Sequence, residues 1–300
     1  MSIPGPYGFE KQSAVRYFGE HGSFTYEAAI QLFPDNVTNF RHHGSVEEIV
    51  DFLMNDTEAV GVIPMENSNT KLVGDSADAL MSGQLEIIGE AKMPITLDLM
   101  GFAFATDEVR EAHSHHKALR QAYHFLKDRG IKPVESGSTS QAVREIVEKE
   151  IPHIAAIGSG KLAMRHSAKG LRVIAGDIAD ERHNSTRFLV VRWRDITDMI
   201  ELRDLGLSDM TEVRATALVT PRAKTSTAFT GLFDDNDIRH VITESRPVSG
   251  HEGFFGHRVF LVEMRTQKRH LARLGRDKRL SKVIQHLDVV GVYPPATMLQ

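Results

Sequence analysis

Residues 14–33 have the sequence AVRYFGEHGSFTYEAAIQLF, and the order of elements in this stretch indicates the fold class. The segment from Ala14 to Phe18 is mostly apolar or aromatic, which predicts a buried strand. Gly19 and Gly22 interrupt it, and an apolar pattern of helical period follows from Thr25 to Phe33. A strand, a tight loop and a helix form the first part of a β-α-β unit, so the sequence predicts an α/β fold with a mainly parallel sheet.

The same alternation of strand and helix continues to about residue 193. Further strands are predicted at residues 59–64, 97–105, 154–157 and 187–193, and further helices at residues 45–54, 117–129 and 138–148, with another beginning at residue 161. In open α/β sheets, ligands bind beyond the carboxyl ends of the strands, where loops lead into helix starts. Polar clusters fall at such points, at residues 66–70 and 138–140, so we expect a ligand site there.

The C-terminal part has a different order of elements. A charged stretch, residues 194–209, is predicted to be a linker or an added helix, with a domain boundary near residue 205. Beyond it, strands are predicted at residues 212–219, 240–245, 258–264 and 289–293, helices at residues 227–234 and 279–286, and a glycine-rich turn at residues 250–256. The resulting order, βαββαβ, predicts a ferredoxin-like unit.

Length and composition limit the classes of protein to consider. A chain of 300 residues with 41% apolar and 25% charged residues is typical of a globular protein with two domains or two lobes. The 36 basic and 40 acidic residues are mixed along the chain, so no nucleic-acid partner is expected. There are no cysteines, which excludes disulfides and thiolate chemistry and fits a cytoplasmic location. No run of about 18 apolar residues is present, so no membrane partner is expected.

Four motifs occur in a fixed order over about residues 15 to 193. They are Gly19-Glu-His-Gly-Ser-Phe-Thr-Tyr-Glu-Ala-Ala29, Val62-Ile-Pro-Met-Glu-Asn-Ser68, His113-Ser-His-His-Lys-Ala-Leu119 and Asn184-Ser-Thr-Arg-Phe188. Each motif is weak alone, but the ordered set resembles the signature segments of the prephenate dehydratase family.

The resemblance implies an architecture as well as an activity. It implies a catalytic domain at residues 14–200 with two lobes, laid out like a periplasmic binding protein, and a cleft between the lobes. One lobe would hold about residues 15–93 with the strand near residue 187, and the other about residues 94–175. It also implies an ACT domain at residues 206–300, no cofactor, and a homodimer or homotetramer.

The reaction implied by the resemblance converts prephenate to phenylpyruvate by loss of water and CO2. Such a site needs a proton donor for the departing hydroxyl and a group that binds a carboxylate. Thr186 is predicted to be the donor and Arg187 the planar carboxylate fork. Adjacent residues of a strand point to opposite faces, so both can face one pocket only if the backbone turns at Asn184 and Ser185, as we expect. The tripeptide alone is more typical of a strand start with a surface arginine, and the other three motifs favour the functional interpretation.

The four motifs and the polar clusters also give a set of predicted substrate-binding residues. These are Ser23, Glu66, Asn67, Ser68, Ser114, His115, Ser138, Thr139, Asn184 and Phe188. For residues 66–68 the alternative is an ordinary Asx-type turn, and for residues 138–140 it is simple N-capping of a helix.

The histidines and glycines do not predict a metal or nucleotide site. His21, His113, His115 and His116 lack the i, i+4 spacing of a zinc-binding helix, so no metal is expected. The segment from Gly19 to Gly22 is too short for a phosphate-binding loop or a dinucleotide fingerprint, so neither ATP nor NAD is predicted.

Three departures from the family pattern affect the substrate prediction. The chain has Thr70-Lys71 where the family has Glu-Gly, His116-Lys117 where it has Pro-Gln, and Glu20 where it has proline. Added lysines near a pocket can change which carboxylated ring is preferred. The alternatives are therefore an arogenate dehydratase, a prephenate decarboxylase, or a noncatalytic ligand sensor that uses the same cleft.

Two segments of the tail resemble the ACT domain of the family, Thr243 to Pro247 and Gly291 to Pro294. The resemblance implies that Glu244, Ser245, Arg246 and Pro247 are regulatory residues at a site for an amino-acid effector. However, Lys224-Thr225-Ser226 stands where the family has the glycine-led segment that lines a phenylalanine site. A lysine prevents the close backbone approach that a glycine permits, so weak or absent inhibition by phenylalanine is predicted.

Overall fold

A computed structural model describes residues 12–34, 39–69, 71–181, 183–195, 197–206, 208–209, 211–222, 227–247 and 258–299. Its strands are β1 (Val15–Phe18), β2 (Phe40–His43), β3 (Val60–Asn67), β4 (Lys71–Leu72), β5 (Leu85–Pro94), β6 (Asp98–Gly101), β7 (Glu111–Ser114), β8 (Lys132–Glu135), β9 (Ile154–Gly158), β10 (Arg172–Ala175), β11 (Ser185–Trp193), β12 (Glu212–Pro221), β13 (Arg239–Pro247), β14 (Arg258–Gln267), β15 (Ile284–Tyr293) and β16 (Thr297–Met298). Its α-helices are α1 (Phe24–Leu32), α2 (Val46–Asn55), α3 (Gly74–Met81), α4 (His116–Gln121), α5 (Tyr123–Asp128), α6 (Thr139–Lys149), α7 (Lys161–Arg165), α8 (Thr227–Asp234), α9 (Lys268–Arg276) and α10 (Leu280–Val283).

Two sheets form the two predicted lobes. The first has the order β16-β5-β11-β3-β1-β2 with β4 beside β3, and the second has the order β10-β6-β9-β7-β8. The chain leaves the first lobe after β5 and returns from the second into β11, which is antiparallel to both its neighbours, β3 and β5. The two-lobed α/β fold is therefore confirmed, but the sheets are mixed rather than mainly parallel.

The first lobe is built around β3, whose first six residues are buried. Its side chains alternate between two hydrophobic clusters. Val60 and Val62 pack with the residues of α1, while Ile63 and Met65 pack with α2 and α3. A strand covered on both faces has to be apolar at consecutive positions, and this requirement explains its continuous run of apolar residues.

The third sheet has the order β13-β14-β12-β15 with antiparallel neighbours throughout, which is the order of a ferredoxin-like unit. Its inner face packs on the first lobe, where Leu218 and Leu261 join the cluster that contains Val191. A Cβ atom on Gly291 would lie 2.5 Å from the carbonyl oxygen of Ile87, so a glycine is needed where β15 crosses β5. The chain then adds β16 to the first sheet beside β5.

Several predicted elements have different bounds in the structure. The helix expected at residues 279–286 is largely wrong: only the short α10 forms within that range, the longer helix α9 lies before it, and β15 begins at Ile284. The buried residues of α9, Leu271, Ala272 and Leu274, lie among basic residues that make the segment polar overall. The helix expected at residues 117–129 is divided at Ala122, and the strand expected at residues 97–105 is limited to β6.

Parts of the prediction concern residues that the structure does not describe, namely the turn at residues 250–256 and the segment Lys224-Thr225-Ser226. The domain bounds, residues 14–200 and 206–300, stay predictions. Among the described residues, no helix combines the length and apolar character needed to cross a bilayer.

Candidate active site

A cavity of about 750 Å³ lies between the two lobes, at the carboxyl ends of strands and the starts of helices. We call this cavity the cleft. Its floor is formed by β3 and β11 and by the segment before β11. The predicted site residues that line it are Ser23, Asn67, His115, Ser138, Thr139, Asn184, Thr186 and Phe188.

The hydroxyl of Thr186 is oriented by the amide of Asn67. The two residues lie opposite each other on β11 and β3, and Asn67 Nδ2 donates to Thr186 Oγ1 at 2.9 Å. The same nitrogen donates to Asn184 Oδ1 at 2.7 Å, and the side-chain oxygen of Asn67, Oδ1, accepts from the backbone N–H of Asn69 at 3.0 Å. These contacts determine the positions of the nitrogen and the oxygen in the side-chain amide of Asn67. Thr186 therefore accepts at its oxygen and can donate its hydrogen into the cleft.

Arg187 does not face the cleft, which corrects its predicted role there. Its guanidinium lies on the opposite side of β11, 3.1 Å from a carboxylate oxygen of Glu90, 2.7 Å from one of Glu263 and 3.4 Å from one of Glu66. Burial alone would lower the pKa of Arg187, but Glu263 and Glu90 raise it above its usual range. The expected turn is absent because β11 is already extended at Ser185. Arg187 instead joins the first sheet to the C-terminal sheet.

Three other predicted substrate-binding residues are also engaged outside the cleft. Ser68 Oγ accepts from the backbone N–H of Ser185 at 3.0 Å and so holds the start of β11. Ser114 is fully buried and donates to the carbonyl oxygen of Ile157 at 2.7 Å. Glu66 precedes Asn67 on β3, and the alternation of side chains turns it toward Arg187. The predictions for these three residues are corrected accordingly.

Three helix starts meet at the cleft, each with a capping side chain from the predicted set. Ser23 caps α1, His115 caps α4 and Ser138 caps α6 by accepting backbone N–H groups at 3.0 to 3.3 Å. The capping predicted as the alternative for residues 138–140 is therefore present at Ser138, whose side chain also lines the cleft. The partial positive charge of the longer helices, α1 and α6, favours a negatively charged group in the cleft.

Two carboxylates of the first lobe bind the second lobe across the cleft. Glu20 accepts from Ser138 Oγ at 3.0 Å and from both terminal nitrogens of Arg144, at 2.7 and 3.1 Å. Arg144 lowers the pKa of Glu20. Glu27, on α1, accepts from Ser159 Oγ at 2.9 Å, and burial raises the pKa of Glu27. The sequence showed that Glu20 departs from the family pattern, but it did not predict the contact of Glu20 with Arg144 or that of Glu27 with Ser159.

The charged groups of the cleft favour an anionic ligand. Lys117 lines the cleft at the start of α4, whereas Lys71 lies elsewhere, so one of the two unusual lysines is placed as expected. His42 and His43 also line the cleft and were missed, because β2 has no apolar alternation. Burial lowers the pKa of His43 and that of His115, which keeps both neutral near pH 7. Within the described ranges no group of three or more His, Asp or Glu side chains is arranged to bind a metal.

The two lobes, the cleft at their strand ends and the attached ferredoxin-like sheet define the chain as a two-lobed α/β protein with a polar interlobe cleft. A family model described as prephenate dehydratase (PDT) matches residues 15–195, and the chain belongs to this family.

Known relatives agree with this assignment. The bifunctional chorismate mutase/prephenate dehydratase of Aquifex aeolicus is 29% identical over 294 residues, which span 96% of this chain and 75% of that protein. The structure of the prephenate dehydratase of Arthrobacter aurescens in complex with L-Phe has a TM-score of 0.74 at 23% identity, covering 94% of this chain and 90% of that one. A quorum quenching acylase, GqqA, has a TM-score of 0.76 at 21% identity, covering 95% and 98%. At such identities the structural likeness shows the shared fold.

Proposed function

We propose that this protein is a prephenate dehydratase that converts prephenate to phenylpyruvate. The observation that supports this proposal most strongly is the Thr186 hydroxyl, held by Asn67 and directed into the interlobe cleft. Family membership supports the reaction class, and the position of Thr186 in the cleft supports its assignment as the proton donor.

In the proposed reaction, the bond between the ring and its carboxylate breaks and CO2 leaves. The electron pair of that bond forms a double bond to the adjacent ring carbon, and the pair of the existing ring double bond shifts by one bond toward the opposite ring carbon and expels the hydroxyl there. Thr186 Oγ1 gives its proton to this hydroxyl, which leaves as water, and solvent then restores the proton. Asn67 stabilises the negative charge that develops on Thr186 Oγ1. Aromatisation drives the step, so a positioned acid is the main chemical requirement.

Apolar side chains around the floor suit the carbon ring of this substrate. Phe24, Ile95, Leu97 and Phe188 all line the cleft. They would hold the ring against Thr186 and exclude bulk water, which otherwise competes for the hydrogen bonds of the reacting groups.

Because Arg187 lies outside the cleft, other groups must bind the two carboxylates of prephenate. We assign them to the ammonium of Lys117 and to the backbone N–H groups at the start of α6. A flexible lysine gives a point charge rather than a planar fork, so this site would tolerate more variation in carboxylate orientation than an arginine site.

Regulation and assembly remain proposals. The predicted regulatory residues Glu244 to Pro247 end the edge strand β13, and Arg246 binds Asp78 of the first lobe at 2.7 Å. An amino-acid effector there would act at this contact. Val241 on the same edge strand is 65% exposed, and an open edge favours pairing with a second copy as a homodimer or homotetramer. The absence of cysteine suits the reducing cytoplasm, where we place the enzyme.

Steady-state assays with prephenate and arogenate, with the products identified, test the proposed function. We expect phenylpyruvate from prephenate and a lower kcat/KM for arogenate, because Glu20 is neutralised by Arg144 and gives no free carboxylate for an ammonium group. A higher kcat/KM for arogenate would favour an arogenate dehydratase. A nonaromatic product would show a prephenate decarboxylase, and binding without turnover would show a sensor.

A further inference from the structure

A second cavity, of about 810 Å³, lies between the first lobe and the C-terminal sheet. It is on the other side of β3 and β11 from the cleft. Glu66 and Arg187 form part of one wall, and residues of β12, β13 and β14 form the other. This space belongs neither to the cleft nor to the regulatory segment at residues 244–247.

Three arginines cross the C-terminal sheet side by side in this cavity. Arg239 on β13 is directly opposite Arg265 on β14, which is directly opposite Arg214 on β12. Like charges at directly opposite positions destabilise a sheet. Glu212 binds Arg265 at 2.7 Å and Glu263 binds Arg214 at 2.7 Å, which offsets part of this repulsion.

Two of the cations that line the cavity have no carboxylate partner within the described ranges: Lys71 on β4 and Arg239 on β13. Both are exposed. Lys71 has φ +65°, a left-handed conformation that is unfavourable for a residue other than glycine. Strained backbone conformations cluster at functional sites, so the conformation of Lys71 supports a functional role for this lysine. Among the described residues, five cations and two carboxylates line the cavity.

We propose that this second cavity binds a small oxyanion with at least two negative charges, held by Lys71 and Arg239. Carboxylates and phosphates both match a guanidinium fork, so the shared chemistry is a pair of neighbouring anionic oxygens. The bound anion relieves the repulsion along the row of arginines.

The anion also affects the active site, a consequence that rests on the proposed function. Glu66 is the most exposed of the Arg187 partners and has the longest contact, 3.4 Å, so an incoming anion competes with it first. Glu66 adjoins Asn67, which holds Thr186. Displacing Glu66 therefore disturbs the proton donor and lowers turnover.

Calorimetric titration of the full chain with succinate, and separately with inorganic phosphate, tests the site. The variant Lys71→Gln/Arg239→Gln removes both cations, and Arg110→Gln/Lys149→Gln removes two exposed charges of the second lobe as a control. We expect saturable binding of at least one of the anions to the parent and to the control. The Lys71→Gln/Arg239→Gln variant should bind at least about ten-fold more weakly, the scale of losing a close charge pair.

The anion that binds more tightly identifies the class of ligand, carboxylate or phosphate. Absence of saturable binding by both anions, or equal affinity in the Lys71→Gln/Arg239→Gln variant, would overturn the site. Saturation should also lower prephenate turnover in the parent but not in that variant, and unchanged turnover in the parent would overturn the coupling. If prephenate is not a substrate at all, the proposed function fails while the binding result still decides the site.

Discussion

Arg187→Gln should destabilise the protein far more than it alters substrate binding. The substitution removes a charge that touches Glu90 and Glu263 in a buried contact between the catalytic and C-terminal sheets. The Glu90 side chain is 1% exposed and that of Glu263 is 10% exposed, so water replaces the lost partner only in part.

The size of the effect follows from what remains in the cluster. Removing one partner of a buried ion pair costs about 3–5 kcal/mol, because it leaves an uncompensated charge. Arg214 still contacts Glu90 at 3.2 Å and Glu263 at 2.7 Å, so we expect the lower end, about 3 kcal/mol. The matched control is Arg192→Gln on the same strand. Arg192 is half exposed and binds Glu86, a surface pair worth about 1 kcal/mol or less.

Urea denaturation followed by the fluorescence of Trp193, the single tryptophan of the chain, measures both variants. We expect Arg187→Gln to lower the free energy of unfolding by about 3 kcal/mol while the KM of the folded enzyme for prephenate changes little. If the two variants are equally stable and only Arg187→Gln raises the KM, then Arg187 binds substrate. That result would refute its assignment to the interface.

Three further outcomes are expected. Lys117→Gln should raise the KM for prephenate about ten-fold with a smaller change in kcat, because the lysine binds substrate and transition state alike; unchanged KM in steady-state assays would exclude this contact. Glu27→Gln should gain stability relative to the parent in thermal unfolding as pH rises from about 4 to 7. The raised folded-state pKa of Glu27 makes the parent lose stability over this range, and glutamine does not ionise. A stability difference between the two proteins that does not change with pH would contradict the raised pKa of Glu27. Phenylalanine should bind weakly in calorimetric titration, and micromolar affinity, about −8 kcal/mol, coupled to inhibition would show that Lys224 is tolerated in the effector site.

The sequence predicted the elements whose apolar pattern is complete. The strand and helix on either side of Gly19 and Gly22 both form, because each buries a regular set of apolar residues. Gly22 has a second constraint that the pattern does not contain: it has φ +87°, and a Cβ atom there would lie 2.4 Å from Leu162 of the other lobe. Helix α9 was missed because its two main core leucines lie among basic side chains.

The orientation of the site residues was harder to predict than their grouping. Alternation along a strand already placed Thr186 and Arg187 on opposite faces, and the expected exception at Ser185 did not occur. Ser68 holds the start of β11 in an extended conformation. Arg187 binds Glu263, which is 76 residues away in the sequence. No local sequence pattern predicts a contact over that separation.

The most direct test of the central proposal is the kcat of Thr186→Val with prephenate, compared with Thr186→Ser. Valine keeps the shape of threonine and removes the hydroxyl, while serine keeps the hydroxyl. We predict that Thr186→Val lowers kcat by about 10²-fold or more while the protein stays folded, and that Thr186→Ser retains part of the activity. Full turnover of prephenate by the folded Thr186→Val protein would contradict the assignment of Thr186 as the proton donor.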